Sequence, residues 1–234
     1  MSADRAIQAE RGKQLFYDSI AETFDDLMNE YDVRRRVEVV FDELLAGVDL
    51  RGKDVLDAGC GTGRFSEAAC RRGATVISLD IGARLLREVR QRCPATVVCG
   101  DVTRMALPSG RFDVVISSEC IEHTPSPATA VAELVRVCKP GGRVVITCPN
   151  AFWHWSCTLA NALGIRPYEG LENWPGWLEL RRWVEAGGGR VLDRTGIHLF
   201  PFVVQTLQPL LRRLDRLGRW LGPVYVNQAL LATK

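Results

Sequence analysis

Val55-Leu56-Asp57-Ala58-Gly59-Cys60-Gly61-Thr62-Gly63 decides the fold of this chain. Val55, Leu56 and Ala58 read as a short buried strand over 54–58, and the glycines that follow break it into a loop opening a helix. Glycine accepts positive φ and lets the backbone pass close beneath a ligand. The helix is expected to stop near Gly73, a favourable residue just beyond a helix end. Downstream the rhythm repeats. Strands are expected over 75–79, 95–99, 112–117 and 144–148. Leu85, Leu86 and Val89 mark the inner face of one intervening helix, and Val131, Leu134, Val135 and Cys138 that of another. Ser126 is expected to cap the latter helix, with Pro127 at its first position and Lys139-Pro140-Gly141-Gly142 ending it.

Strands alternating with helices of about a dozen residues give right-handed crossovers and a parallel α/β sheet covered on both faces. Ligands of such sheets sit beyond the carboxyl ends of the strands, where strand order reverses. Upstream, helices are expected over 7–28 and 33–46, the second with Val33, Val37, Val40, Phe41, Leu44 and Leu45 on one face. Downstream come an aromatic-rich insert (151–175), a helix (177–186), a strand (190–194), a leucine-rich helix (203–221) and a last strand (225–233). The expected organisation is an N-terminal helical lid over residues 1–50 and a single ligand-binding domain over 51–234.

Composition narrows the function classes. The 234 residues carry 30 basic and 28 acidic side chains, without the basic excess of a dedicated nucleic-acid binder. No apolar run approaches the roughly 20 residues of a spanning helix, and residues 1–12 do not read as a signal peptide. The eight cysteines include no C-x-x-C pair, so reduced thiols and a cytoplasmic setting are expected.

Acids recur at the expected strand ends. Asp57 precedes the glycine loop, Asp80 ends the second strand and Asp101 follows the third. Nineteen residues beyond Gly61, the Asp80 carboxylate suits both hydroxyls of a ribose, as NAD and S-adenosylmethionine require. Asp101 suits an adenine amino group. The dinucleotide pattern would need glycine where Arg64 stands, and Asp57 would repel a pyrophosphate. A donor bearing an ammonium and a sulfonium fits the acidic set better.

These segments, with FDVVISSECIEH (112–123) and CKPGGRVVITCPN (138–150), resemble the class I S-adenosylmethionine-dependent methyltransferases. The resemblance covers about 54–150 closely and the remainder loosely. It implies a Rossmann-like, doubly wound sheet of seven mostly parallel strands with the last strand antiparallel. It also implies cofactor contacts at Asp57, Gly59, Cys60, Gly61, Gly63, Asp80, Ile81, Asp101, Val102 and Ser118. The N-terminal helices would close over the cofactor, with Tyr17 and Phe24 as contributors.

Catalytic candidates follow the fourth strand. If Ser118-Glu119-Cys120-Ile121-Glu122-His123 begins a helical turn, Glu119, Glu122 and His123 share one face. That spacing resembles the E-x-x-E-H of ubiquinone-pathway O-methyltransferases and small-RNA 2′-O-methyltransferases, some of which bind a divalent cation there. Two alternatives stay open: the three residues hold Mg²⁺ or Mn²⁺, or His123 acts as a general base without metal. The RNA enzymes supply a further histidine, whereas this chain reads Gly170-Leu171-Glu172-Asn173-Trp174 and has only His154 and His198 besides His123. That departure and the balanced charge argue against RNA. The absence of N-P-P-Y argues against DNA. A small-molecule acceptor methylated at a hydroxyl is the expected substrate, with N- or C-methylation, a nicotinamide oxidoreductase and a non-catalytic cofactor-binding relative as alternatives.

Trp153, His154 and Trp174 in the aromatic insert are candidate acceptor-pocket residues. Leu207, Leu210, Leu211, Leu214, Leu217 and Leu221, interleaved with arginines, form a basic amphipathic stripe suited either to packing on its own domain or to peripheral membrane contact through 203–221.

Overall fold

The computed structural model describes residues 29–156, 158, 172–199 and 213–234. Tyr17, Phe24, Leu207, Leu210 and Leu211 lie outside them, as do the expected helix over 7–28 and most of that over 203–221.

Helix α1 (Glu30–Glu38) begins where the Asn29 side chain accepts from the backbone N–H groups of Tyr31 and Asp32. It continues into a π-helical turn, Val39–Leu44. The remaining elements are β1 (Asp54–Ala58), α2 (Arg64–Arg71), β2 (Thr75–Asp80), α3 (Ala83–Arg92), β3 (Thr96–Cys99), β4 (Phe112–Ser118), α4 (Pro127–Val137), β5 (Cys138–Pro149), α5 (Trp177–Ala186), β6 (Arg190–Ile197), α6 (Gly218–Leu221) and β7 (Asn227–Thr233).

The seven strands form one sheet in the order β3-β2-β1-β4-β5-β7-β6. Pairings among β1 to β5 are parallel, and β7 runs antiparallel to both β5 and β6. The order reverses at β1, between β2 on one side and β4 on the other, so the crevice opens beyond their carboxyl ends.

Period-two alternation places neighbours on opposite faces. Leu56, Val115, Val144 and Leu230 pack with Leu134, Val135, Leu180 and Val184 of α4 and α5. Their neighbours Val55, Val114, Val145 and Leu231 pack with Val40, Phe41 and Leu44 of the π-helical turn and Phe65 and Ala69 of α2. Full burial of each such aliphatic side chain contributes about 1.5–3 kcal/mol. The segment from Val39 to Leu50 is therefore part of the core that carries β1.

Two local expectations need correction. Ser126 makes no capping hydrogen bond to α4; its hydroxyl pairs with that of Thr129 at 2.7 Å, leaving Pro127 to start the helix. The helix ends at Val137, before 139–142, and β5 begins at Cys138, earlier than the strand expected over 144–148. Gly141 takes φ 75° there and donates to the Lys234 carbonyl at 2.8 Å, so the glycines bend a strand. Among the described cysteines none is disulfide-bonded; Cys60, Cys93, Cys138 and Cys148 are buried, whereas Cys99 is exposed.

Candidate functional site

At the switch point one cavity opens between the ends of β1, β2 and β4 and helix α1. Gly59, Cys60 and Gly61 line it, as do Asp80, Ile81, Asp101, Val102, Ser118, Glu119 and His123. Asp57, Gly63, Glu122, Trp153, His154 and Trp174 are not on its wall.

The glycine loop folds back over the end of β2. Gly59 and Cys60 donate their N–H groups to the Leu79 carbonyl at 2.7 and 3.0 Å. Gly61 donates to Asp80 Oδ2 and Gly82 to Asp80 Oδ1, each at 2.8 Å. One carboxylate thus holds the β1 and β2 turns together while facing the cavity. Gly59 and Gly61 take φ of 75° and 51°, and a Cβ at Gly59 would collide with the Cys120 side chain. Here glycine is required both by φ and by close approach. Asp101 Oδ1 accepts from the Thr103 N–H at 2.7 Å and hydroxyl at 2.8 Å, which fixes its orientation on the cavity wall.

Asp57 behaves differently from its expected role. Its carboxyl is fully buried, accepts from the Ser66 hydroxyl at 2.6 Å and is turned away from the cavity. Burial pushes its pKa up to about 7, against the hydrogen bonds from Ser66. Asp57 thus packs against Ser66 instead of lining the cavity as the sequence reading supposed.

The segment after β4 is also not the helical face expected. Glu119 takes φ 51°, and only Ile121–His123 form a short 3₁₀ turn. Glu119 accepts from the Thr147 hydroxyl at 3.1 Å and from Asn227 Nδ2 at 2.8 Å, with Arg36 Nη1 at 3.9 Å. Glu122 is buried, its Oε2 without a hydrogen-bond partner among the described residues and its Oε1 3.9 Å from His123 Nε2. Burial raises the pKa of both carboxyls; Arg36 opposes this for Glu119, and the Glu119 charge reinforces it for Glu122. His123 reaches the cavity wall with its side chain 27% exposed.

Helix α1 supplies what the sequence reading missed. Arg36 is buried on the cavity wall, donates to Asp32 Oδ2 at 2.7 Å and to Ser118 Oγ at 3.3 Å, and has no partner for Nε among the described residues. Asp32 also meets His198 Nε2 at 2.7 Å, and Arg35 reaches Asp215 Oδ2 at 3.2 Å. The Asp32–Arg36 spacing, one helical turn, was a legible signal for the first of these pairs. Nothing local points to His198 or Asp215.

The described residues of the insert do not line the cavity, although Asn173 borders it. Asn173 donates its N–H to the Glu122 carbonyl at 2.9 Å and its Nδ2 to the Thr124 carbonyl at 2.8 Å. Trp174 meets His154 edge to face at 5.5 Å, and Trp153 stacks on Trp155 while donating to the Val224 carbonyl at 2.8 Å.

Comparison with known proteins fits this arrangement. A family model described as a methyltransferase domain matches residues 56–146. A ubiquinone biosynthesis O-methyltransferase from Coxiella burnetii (strain RSA 493 / Nine Mile phase I) is 32% identical over 166 residues, covering 66% of this chain and 70% of that protein. The chain belongs to the class I S-adenosylmethionine-dependent methyltransferases. A relative of the same name from Pseudomonas paraeruginosa (strain DSM 24068 / PA7) is 38% identical over 107 residues, covering 43% of the methyltransferase and 46% of that relative. In fold, the methyltransferase is similar to magnesium protoporphyrin IX methyltransferase from Synechocystis PCC 6803 with bound SAH. The TM-score is 0.66 at 19% identity, with 95% and 99% of the two chains covered.

The lining of the cavity fits the family's cofactor: carboxylates at Asp80 and Asp101 could accept from hydroxyl and amino groups, and apolar Ile81 and Val102 line the same cavity. It does not fit a divalent cation at Glu119, Glu122 and His123. Mg²⁺ and Mn²⁺ need ionised oxygens converging on one point. Here the oxygens of Glu119 are engaged by Thr147 and Asn227, and burial favours the protonated form of Glu122. Among the described residues no group of three His, Cys, Asp or Glu is arranged to hold a metal ion.

Proposed function

We propose that the enzyme methylates a hydroxyl of a small, largely apolar organic molecule, with His123 as the base. The observation that carries this reading is the placement of His123 on the wall of the cavity that Asp80 and Asp101 also line. Asp80 accepts from the ribose hydroxyls and Asp101 from the adenine amino group, while the loop 59–62 and Arg36 receive the methionine end. Bound S-adenosylmethionine supplies an activated methyl on a sulfonium. The chain's contribution is then to hold an acceptor oxygen in line at near-attack distance and to exclude water. Apolar Val33 of α1 also lines the cavity. His123 takes the hydroxyl proton; a positioned base of this kind contributes roughly 10²–10⁴ in rate. The name O-methyltransferase borne by the relatives from Coxiella burnetii and Pseudomonas paraeruginosa supports the choice of oxygen.

The test is turnover over phenols, sugar hydroxyls, amines and carbon acids. For a hydroxyl acceptor, His123→Gln should lower kcat by roughly 10²–10⁴ with cofactor affinity unchanged. Full activity in that variant, or transfer to amines or carbon with none to hydroxyls, rejects the reading.

A further inference from the structure

We infer that the face formed by the segments after β5 and before β7 is a docking surface for an anionic lipid membrane. Large exposed hydrophobic side chains concentrate there. Of the eight among the described residues, Phe152 and Trp155 follow β5, and Leu217, Trp220, Leu221 and Val224 precede β7. Trp220 is 85% exposed and Trp155 59%, which is unusual for the largest apolar side chain and is repeated within two neighbouring segments. The segments are fastened side by side. Trp153 Nε1 donates to the Val224 carbonyl at 2.8 Å, and Asn150 Nδ2 to the Pro223 carbonyl at 2.9 Å. The exposed rings thus stand on a braced scaffold.

Charge selects the occupant. Residues 213–224 contain Arg213, Arg216 and Arg219 against a single acid, Asp215. Asp215 is buried, where it accepts from Arg35 and from the His198 N–H, so its charge does not reach the surface. Arg213 and Arg216 are exposed. Arg219 is paired with Asp193 at 2.7 Å, so the charge of the face comes from Arg213 and Arg216. Tryptophans beside these two arginines match the interfacial zone of a bilayer carrying negative headgroups. No described helix is long and apolar enough to cross a membrane, so the contact is peripheral. The face lies on the same edge of the sheet as the cavity, since β5 ends there and Asn227 at the start of β7 holds Glu119. A docked enzyme would present its cavity close to the headgroup layer.

The experiment is flotation of the full chain with phosphatidylcholine vesicles, with and without phosphatidylglycerol, alongside sedimentation velocity. Binding to the anionic vesicles is expected, with much weaker binding to the neutral ones. Trp220→Ser should lower partitioning roughly tenfold. Arg216→Gln should lower it roughly fivefold on anionic vesicles only. Both variants should keep native circular dichroism and calorimetric affinity for S-adenosylhomocysteine, since neither residue lines the cavity. The inference is overturned by no binding to anionic vesicles, by equal binding to neutral ones, or by a folded Trp220→Ser chain that binds as before. It is overturned equally by a native dimer that Trp220→Ser dissociates, which would make a second copy the occupant.

Discussion

His198 Nε2 lies 2.7 Å from Asp32 Oδ1, joining the end of β6 to helix α1 across 166 residues of sequence. The same carboxylate receives Arg36 through its other oxygen, so one aspartate docks the helix and orients the guanidinium on the cavity wall. Burial opposes ionisation of Asp32, but Arg36 and His198 outweigh it and hold the pKa at about 2.

Replacing Asp32 with Asn should lower unfolding free energy by about 1–3 kcal/mol and weaken cofactor binding. The depressed pKa sets the pH dependence. Stabilisation from an acid of this kind is complete above the unfolded value of about 3.9 and fades as pH falls towards the folded value. The Asp32→Asn chain should therefore lose less stability than the native one between about pH 4 and pH 2, measured by urea titration. Parallel curves would refute the assignment.

Asp57 gives the opposite sign. Its folded pKa of about 7 lies above the ordinary value of 3.8, so the native state is favoured by the neutral acid. That contribution is complete below the unfolded value and is lost as pH rises to about 7. Asp57→Asn preserves an acceptor for Ser66 and removes the charge. It should match the native chain near pH 4 and exceed it by a few kcal/mol (roughly) at pH 8. A pH-independent difference would show that the carboxyl is not the titrating group.

Gly59→Ala should be costly for two separable reasons. A φ of 75° disfavours any Cβ by about 1 kcal/mol, and the new methyl meets Cys120. Calorimetry with S-adenosylhomocysteine should show a loss of roughly tenfold or more, with a lower Tm. Adding Cys120→Ala should recover the steric part while leaving the conformational part. Full recovery, or no recovery, would contradict this division.

Turnover should be indifferent to chelators. The engagement of Glu119 with Thr147 and Asn227 leaves no converging set of ionised oxygens at the end of β4. Activity that EDTA abolishes and Mg²⁺ restores would require a rearranged loop.

Much of the architecture could be read from residues alone, because its signals are local. Short apolar runs such as Val114-Val115-Ile116 and Val144-Val145-Ile146 wrote the strands, and the helix–strand order implied a parallel sheet with its crevice at the switch point. Asp80, Asp101, Gly59 and Gly61 fell on the cavity wall because a strand end fixes where the following residues emerge. The failures involve orientation. Asp57 alternates inward on its strand, towards Ser66, and Glu119 enters a left-handed conformation that breaks helical spacing. Neither was visible in spacing.

The sequence by itself determined the sheet, the glycine loop and the two acids that face it, since each depends on neighbours within a turn or a strand. Only the tertiary structure decided that Arg36 stands on the cavity wall, that Glu119 is engaged rather than open, and that Trp155 and Trp220 remain exposed on neighbouring segments. Those outcomes depend on partners distant in the chain, such as Asp32 with His198 and Glu119 with Asn227. Burial and pairing across such separations are properties of packing, which no local pattern encodes.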